Sequence, residues 1–117
     1  MFAVKFLILE SAVRAIINEA KTRKIKAKFG SNLTLECKTS GIPQPYVYWI
    51  DKNGEEVEKH NGVTRLPSGK LLITNVNAKH SGKYVCRSEN QFGIAKAEIS
   101  VVTVGLGKEK KPLRLMI

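Results

Sequence analysis

The chain holds two cysteines, Cys37 and Cys86, 49 positions apart, and one tryptophan, Trp49, twelve positions after the first of them. Tyr84 stands two positions before the second cysteine, inside the run Ser81-Gly82-Lys83-Tyr84-Val85-Cys86. Either cysteine alone reads as an ordinary small thiol in a reduced protein. All four residues at these spacings are poorly explained by two unrelated thiols, and no other feature constrains the fold as much.

The pattern between these markers is that of short strands. Ile25, Ala27 and Phe29 alternate with Lys24, Lys26 and Lys28, so an apolar face backs a row of lysines. Such a strand fits a sheet edge, where lysines discourage pairing with another chain, and the alternative is a heparin-like or nuclear-import basic patch. Leu33, Leu35 and Cys37 repeat the alternation, and the run from Gly41 to Pro45 interrupts it because proline cannot donate to a ladder. Val47 and Trp49 then point inward while Tyr46 and Tyr48 face the other side, and Asn53-Gly54 closes a hairpin. Val63 to Leu66 is a short strand, and Leu71, Ile73 and Val76 face inward after the turn Pro67-Ser68-Gly69. Ala95, Ala97, Ile99 and Val101 line a last long strand. About seven strands at short spacing indicate a two-layer β-sandwich.

From about Lys24 to Val104 the sequence resembles the immunoglobulin fold, and in particular its intermediate, or I-set, class. The residues that carry the resemblance include Gly30, Leu35, Cys37, Gly41, Pro43, Pro45, Trp49, Gly69, Leu71, Ile73, Gly82, Tyr84, Cys86 and Asn90. The resemblance implies an all-β Greek-key sandwich of two sheets. It further implies a disulfide between Cys37 and Cys86 and a core signature of Trp49, Tyr84, Leu35, Leu71 and Ile73. Tyr84 becomes a tyrosine corner, its hydroxyl bonded to backbone a few residues upstream. A bridge over that span adds roughly 4 kcal/mol by the chain-entropy estimate and requires an oxidising compartment. The short connection 55–66 leaves no room for the two extra edge strands of variable domains. The hairpin glycine, Gly54, falls one position later than the family pattern, so a bulge or wider turn is expected. Where family members carry an aspartate near a basic residue such as Arg65, this chain has His80, which cannot pair with Arg65. A neutral imidazole can still accept or donate a hydrogen bond at that corner, and a pH switch is a further reading, but a surface histidine without a role is expected.

The chain divides into residues 1–20, a leader or amphipathic helix; 21–104, the I-set domain; and 105–117, a basic linker or tail. Phe2, Phe6, Leu9, Val13, Ile16 and Ala20 recur at helical spacing, so a helix is expected there. As a signal peptide the segment is poor, because Lys5 and Glu10 interrupt its apolar run. It is also too short and too charged to cross a bilayer, so no membrane insertion is expected. Foreign sequence joined upstream is a third reading.

The formal net charge is +10, of which residues 1–20 contribute none. Such a surface attracts polyanions or acidic partners in a salt-dependent way. Nucleic acid is not the expected partner, for no recognition helix or zinc-finger spacing is present. Catalysis finds no support: the chain has one aspartate and two histidines, no phosphate loop and no Cys/His metal spacing. Neither cofactor nor metal is expected. The sequon Asn32-Leu33-Thr34 makes Asn32 a glycosylation candidate and favours secretion. The expected function, by family analogy, is that of a non-enzymatic extracellular or cell-surface module binding proteins, homophilically or heterophilically, in cell adhesion, axon guidance or matrix assembly. The alternatives are a module of an intracellular muscle filament protein, with reduced cysteines, and a heparan sulfate-binding module. Two binding surfaces compete. One is the lysine row Lys24, Lys26 and Lys28, flanked by Lys21 and Arg23; the other is the face bearing Tyr46 and Tyr48.

Overall fold

A computed structural model describes residues 11–105. Its ten strands are β1 (Val13–Ile17), β2 (Thr22–Lys28), β3 (Leu33–Leu35), β4 (Thr39–Ile42), β5 (Tyr46–Ile50), β6 (Lys59–His60), β7 (Val63–Arg65), β8 (Leu71–Ile73), β9 (Gly82–Asn90) and β10 (Gly93–Val104). One four-stranded sheet runs in the order β2-β10-β9-β5 and the other in the order β3-β8-β7-β6, with β1 and β4 forming a two-stranded ribbon. Among the described residues only β2 and β10 pair in parallel, over seven rungs from Thr22–Glu98 to Lys28–Val104. The fold is an all-β immunoglobulin-like sandwich.

Register explains the spacing of the sequence markers. Trp49 and Ala97 both lie opposite Cys86, one on each neighbouring strand. Cys37 is bonded to Cys86 across the sandwich, with a Cα–Cα distance of 6.6 Å. Trp49, fully buried, therefore packs beside the bridge, and its indole Nε1 donates to the Gly69 carbonyl at 2.8 Å. Gly69 adopts φ +95°, and a Cβ there would stand 3.1 Å from the Cβ of Val47. Glycine thus serves both the turn and the close approach to β5. Leu35, Leu71, Ile73, Val76, Ile99 and Val101 complete the buried cluster.

The expectation of a helix is corrected over residues 11–20. Residues 1–10 lie outside the described residues, but Val13–Ile17 is a strand, antiparallel to β4. Val13 and Ile16, expected on an apolar helical face, are 44% and 40% exposed, while Ala15 between them is fully buried. Three of the five residues are β-branched, which suits a strand, and tertiary partners decide the matter. Asn90 is the main one. Its Nδ2 donates to the carbonyls of Val13 (2.8 Å) and Pro43 (3.0 Å), and its Oδ1 accepts from the amides of Ala15 (3.2 Å) and Phe92 (2.9 Å). One side chain thereby ties together β1, the loop before β5 and the turn between β9 and β10. Thr39 adds a second tie, donating to the Ile16 carbonyl at 2.7 Å and contacting the buried Ser88 hydroxyl. At the other end, all of the expected linker 105–117 except Gly105 lies outside the described residues.

The turn after β5 is wide, as Gly54 implied. Asp51 Oδ1 accepts from the amides of Asn53 and Glu55, and the Asp51 carbonyl accepts from Gly54. Beyond it, the outer side of β5 carries a single bridge, Ile50 to Glu56, rather than a further strand.

Two stability measurements test this account. Trp49→Ala is expected to lower unfolding free energy by about 3–5 kcal/mol, because it leaves a cavity against the bridge; an unchanged denaturant midpoint contradicts the packing. Asn90→Ala is expected to cost about 2 kcal/mol through lost hydrogen bonds. It should also speed hydrogen exchange at the Ala15 amide far more than at Cys86, and equal effects at both sites contradict a local clamp.

Candidate recognition surface

Alternation along the β2-β10-β9-β5 sheet fixes what it presents outward. The row nearest the turn between β9 and β10 is Ile94, Glu89 and Tyr46, each opposite the next. The following row is Lys96, Arg87 and Tyr48, and the one after it Glu98, Val85 and Ile50. On β2, Lys24, Lys26 and Lys28 are all exposed and lie beside Ser100, Val102 and Val104 of β10. The lysine row and the tyrosine pair, which the sequence presents as rival surfaces, occupy opposite edge strands of one sheet face.

Tyr46 is 52% exposed and stacks on Tyr48, with ring centroids 5.9 Å apart. The Arg65 guanidinium lies over the Tyr46 ring, 4.4 Å from its centroid, and its Nε donates to the Val47 carbonyl at 2.8 Å. Arg65 belongs to β7 of the other sheet, so it reaches across the edge of the sandwich to hold the aromatic pair. Tyr48 donates to Glu89 Oε1 at 3.1 Å. The result is a braced platform beside an open depression of about 520 Å³ lined by Tyr46, Tyr48, Glu56, Glu89, Asn90 and Gln91. Sequence reasoning missed Arg65, which it assigned to the corner near His80. A basic residue two positions after Val63 gives no hint of an aromatic partner 19 positions earlier.

Two further assignments change. Arg23, expected to extend the lysine row, turns inward: its Nη2 donates to the Glu36 carbonyl at 2.8 Å and pairs with Glu19 at 3.4 Å. Even-numbered residues of β2 face out and odd-numbered ones face in, so Arg23 shares the side of Ile25 and Ala27. His80, expected on the surface, is 5% exposed. It ends a 3-10 turn, Ala78–His80, capped by Asn77, whose side chain accepts from the Lys79 amide at 2.8 Å. The imidazole Nδ1 accepts from the Asn77 amide (3.1 Å) and Nε2 donates to the Asn61 carbonyl (2.9 Å). An amide N–H only donates and a carbonyl only accepts, so these partners select the neutral Nε2–H tautomer. The imidazole thus fills the acceptor role that a carboxylate plays at the end of a capping box.

Tyr84 is buried and donates to the His80 carbonyl at 2.8 Å, closing the corner. Burial pushes its phenol above the usual 10.0, and the Asp51 carboxylate adds to the rise. Folding therefore favours the protonated phenol. That stabilisation is complete below the unfolded value near 10 and is lost as pH rises through the folded one. Asn32 is exposed just before β3, an edge strand, and its Oδ1 accepts from the Asn75 amide at 3.1 Å. Asp51, Glu55, Glu56 and Glu58 rim an open depression of about 340 Å³, yet no set of three or more metal-competent side chains gathers among the described residues.

Tyr84→Phe is expected to cost about 1 kcal/mol at neutral pH, by leaving the His80 carbonyl without its donor. Above pH of about 10 the deficit should shrink, since only the wild type loses stability by phenol ionisation. Chemical denaturation at pH 7 and at alkaline pH checks both, and a deficit that grows with pH refutes the burial argument.

The family model for the immunoglobulin I-set domain matches residues 18–104. Among curated relatives, human Contactin-6 is 35% identical over 98 residues, which is 82% of this chain and 9% of that protein. Human Hemicentin-1 is 33% identical over 86 residues, 70% of this chain and 2% of that protein. The chain thus spans less than a tenth of these relatives' length. Among solved structures, the complex of titin M10 with an obscurin-like 1 immunoglobulin domain matches with a TM-score of 0.69 and 26% identity, over 80% of this chain and 96% of that one. Matched residues, register and bridge agree, and the chain belongs to the immunoglobulin I-set domain family.

Proposed function

We propose that the chain is a non-enzymatic protein-recognition module of the extracellular space, acting in adhesion, axon guidance or matrix assembly, with its partner seated on the Tyr46–Tyr48 platform. The platform carries the reading. Two stacked tyrosines braced by an arginine are of the residue types that anchor protein interfaces. The braces hold exposed Tyr46 and half-buried Tyr48 in place before a partner arrives, so binding sacrifices little side-chain freedom. The extracellular assignment is supported by the Cys37–Cys86 bridge, which persists in oxidising compartments. It is supported too by the exposed sequon residue Asn32, our candidate glycan site, on the sheet opposite the platform. The homology to contactins and hemicentins is the reason for naming adhesion and matrix roles.

The test uses the domain secreted from animal cells, coupled to beads and offered to itself and to cell surfaces. Tyr46→Ser with Tyr48→Ser is expected to abolish binding or aggregation while retaining the cooperative unfolding transition. Binding that survives the double change overturns the platform assignment. Thiol titration of the folded, secreted material should find no free cysteine, and two reactive thiols would instead favour an intracellular filament protein.

A further inference from the structure

The outward face that carries the tyrosines at one edge changes character toward the other. Lys24 lies beside Ser100, and Ser100 lies opposite Lys83, so two ammonium groups flank a serine across three strands. Lys26 and Lys28 continue the β2 column, at a spacing of about 7 Å between alternate residues. Lys96 and Arg87, far from β2 in sequence, are direct cross-strand neighbours on the same face. With Lys21 they surround a shallow depression of about 390 Å³ that Glu98 also lines. The sequence suggests a single row of lysines; the register adds Lys83, Arg87 and Lys96 to it and makes a two-dimensional field. Seven cations there meet two carboxylates, Glu89 and Glu98. Glu98 approaches Lys83 at 3.5 Å with both side chains about half exposed, an arrangement that neutralises little.

We infer that this field binds a sulfated polysaccharide, laid across β2, β10 and β9. Exposed lysine ammoniums are mobile point charges rather than rigid forks, and they suit a flexible polymer bearing sulfates at varied positions more than one small anion in a fitted pocket. Nucleic acid is the less suitable polyanion. Single strands are held by aromatic rings interleaved with cations. Here the aromatics of this face, exposed Tyr46 and half-buried Tyr48, stand on the β5 edge, where Tyr48 meets only Arg87 of the field, and none lies among the lysines of β2 and β10. The disulfide also favours an oxidising, extracellular setting, where sulfated glycans are abundant. In that respect the inference rests on the extracellular reading; it does not depend on the tyrosine platform.

The experiment measures affinity of the full chain for immobilised heparin at about 0.15 M salt, where exposed charges are screened beyond roughly 8 Å. Lys24→Ser, Lys26→Ser and Lys28→Ser together are expected to weaken binding about tenfold. Lys83→Ser with Lys96→Ser should weaken it severalfold with β2 intact. Lys38→Ser, Lys59→Ser and Lys79→Ser remove the same charge as the first set from elsewhere on the surface, and should change affinity less than about twofold. Tyr46→Ser should leave heparin binding intact while impairing protein recognition, so the two readings fail separately. Equal losses from the two triple variants show that only total charge matters and overturn the site. No loss from the Lys83/Lys96 pair overturns the field in favour of a simple edge. Displacement of the protein from heparin by a single-stranded oligonucleotide as readily as by soluble heparin overturns the assignment to sulfated glycan. Intrinsic tryptophan fluorescence confirms that each variant is folded.

Discussion

The structure depends on one row of three residues across the β10-β9-β5 sheet: Ala97, Cys86 and Trp49. Cys86 sends its bond across the sandwich to Cys37, and Trp49 fills the space beside it. Ala97 on the other side is small enough to leave the bridge its room. The indole nitrogen, which burial would otherwise leave unsatisfied at a cost of a few kcal/mol, is matched by the Gly69 carbonyl. That match fixes the turn before β8, and so the register of Leu71 and Ile73 in the opposite layer. A covalent link and a large aromatic thus locate both sheets relative to each other, and the aliphatic side chains around them fill the remaining volume.

What was legible in the sequence was the part governed by period-two burial and by turn residues. Strands β2, β3, β5, β8, β9 and β10 follow from alternation, and their inward residues form the buried cluster. The illegible parts are those in which a distant partner overrides local preference. Val13–Ile17 satisfies a helical period as well as a strand, and nothing nearby announces that Asn90, more than seventy positions on, will claim its backbone groups. His80 looked unemployed because its partners, Asn61 and Asn77, are themselves unremarkable loop residues. A buried imidazole is inexpensive when one nitrogen donates and the other accepts; that condition is visible only in three dimensions.

The candidate surface teaches the same lesson at larger scale. Sequence separates residues 24–28 from residues 46–48, and the obvious inference was two competing sites. The parallel pairing of β2 with β10 and the antiparallel run through β9 to β5 carry both groups onto one face. Charge and aromatic character then grade across the sheet. A partner at the β5 edge and a polyanion at the β2 edge could occupy the domain together. Arg65 belongs to neither group by sequence, yet it crosses from the other sheet to set the geometry of Tyr46.

The parallel β2–β10 pair also has a mechanical meaning. The chain enters β2 at the rung Thr22–Glu98 and leaves β10 near the rung Lys28–Val104, at the opposite end of the same ladder. Once β1 is drawn away from β4, tension between the entering and departing chain makes these two strands slide past each other lengthwise. All seven rungs, with the Phe29 amide bonded to the Val104 carbonyl at the far end, then share the load together instead of opening one after another. A module threaded in this way resists stretching by shear along its edge, a useful property for any link in a tethered chain.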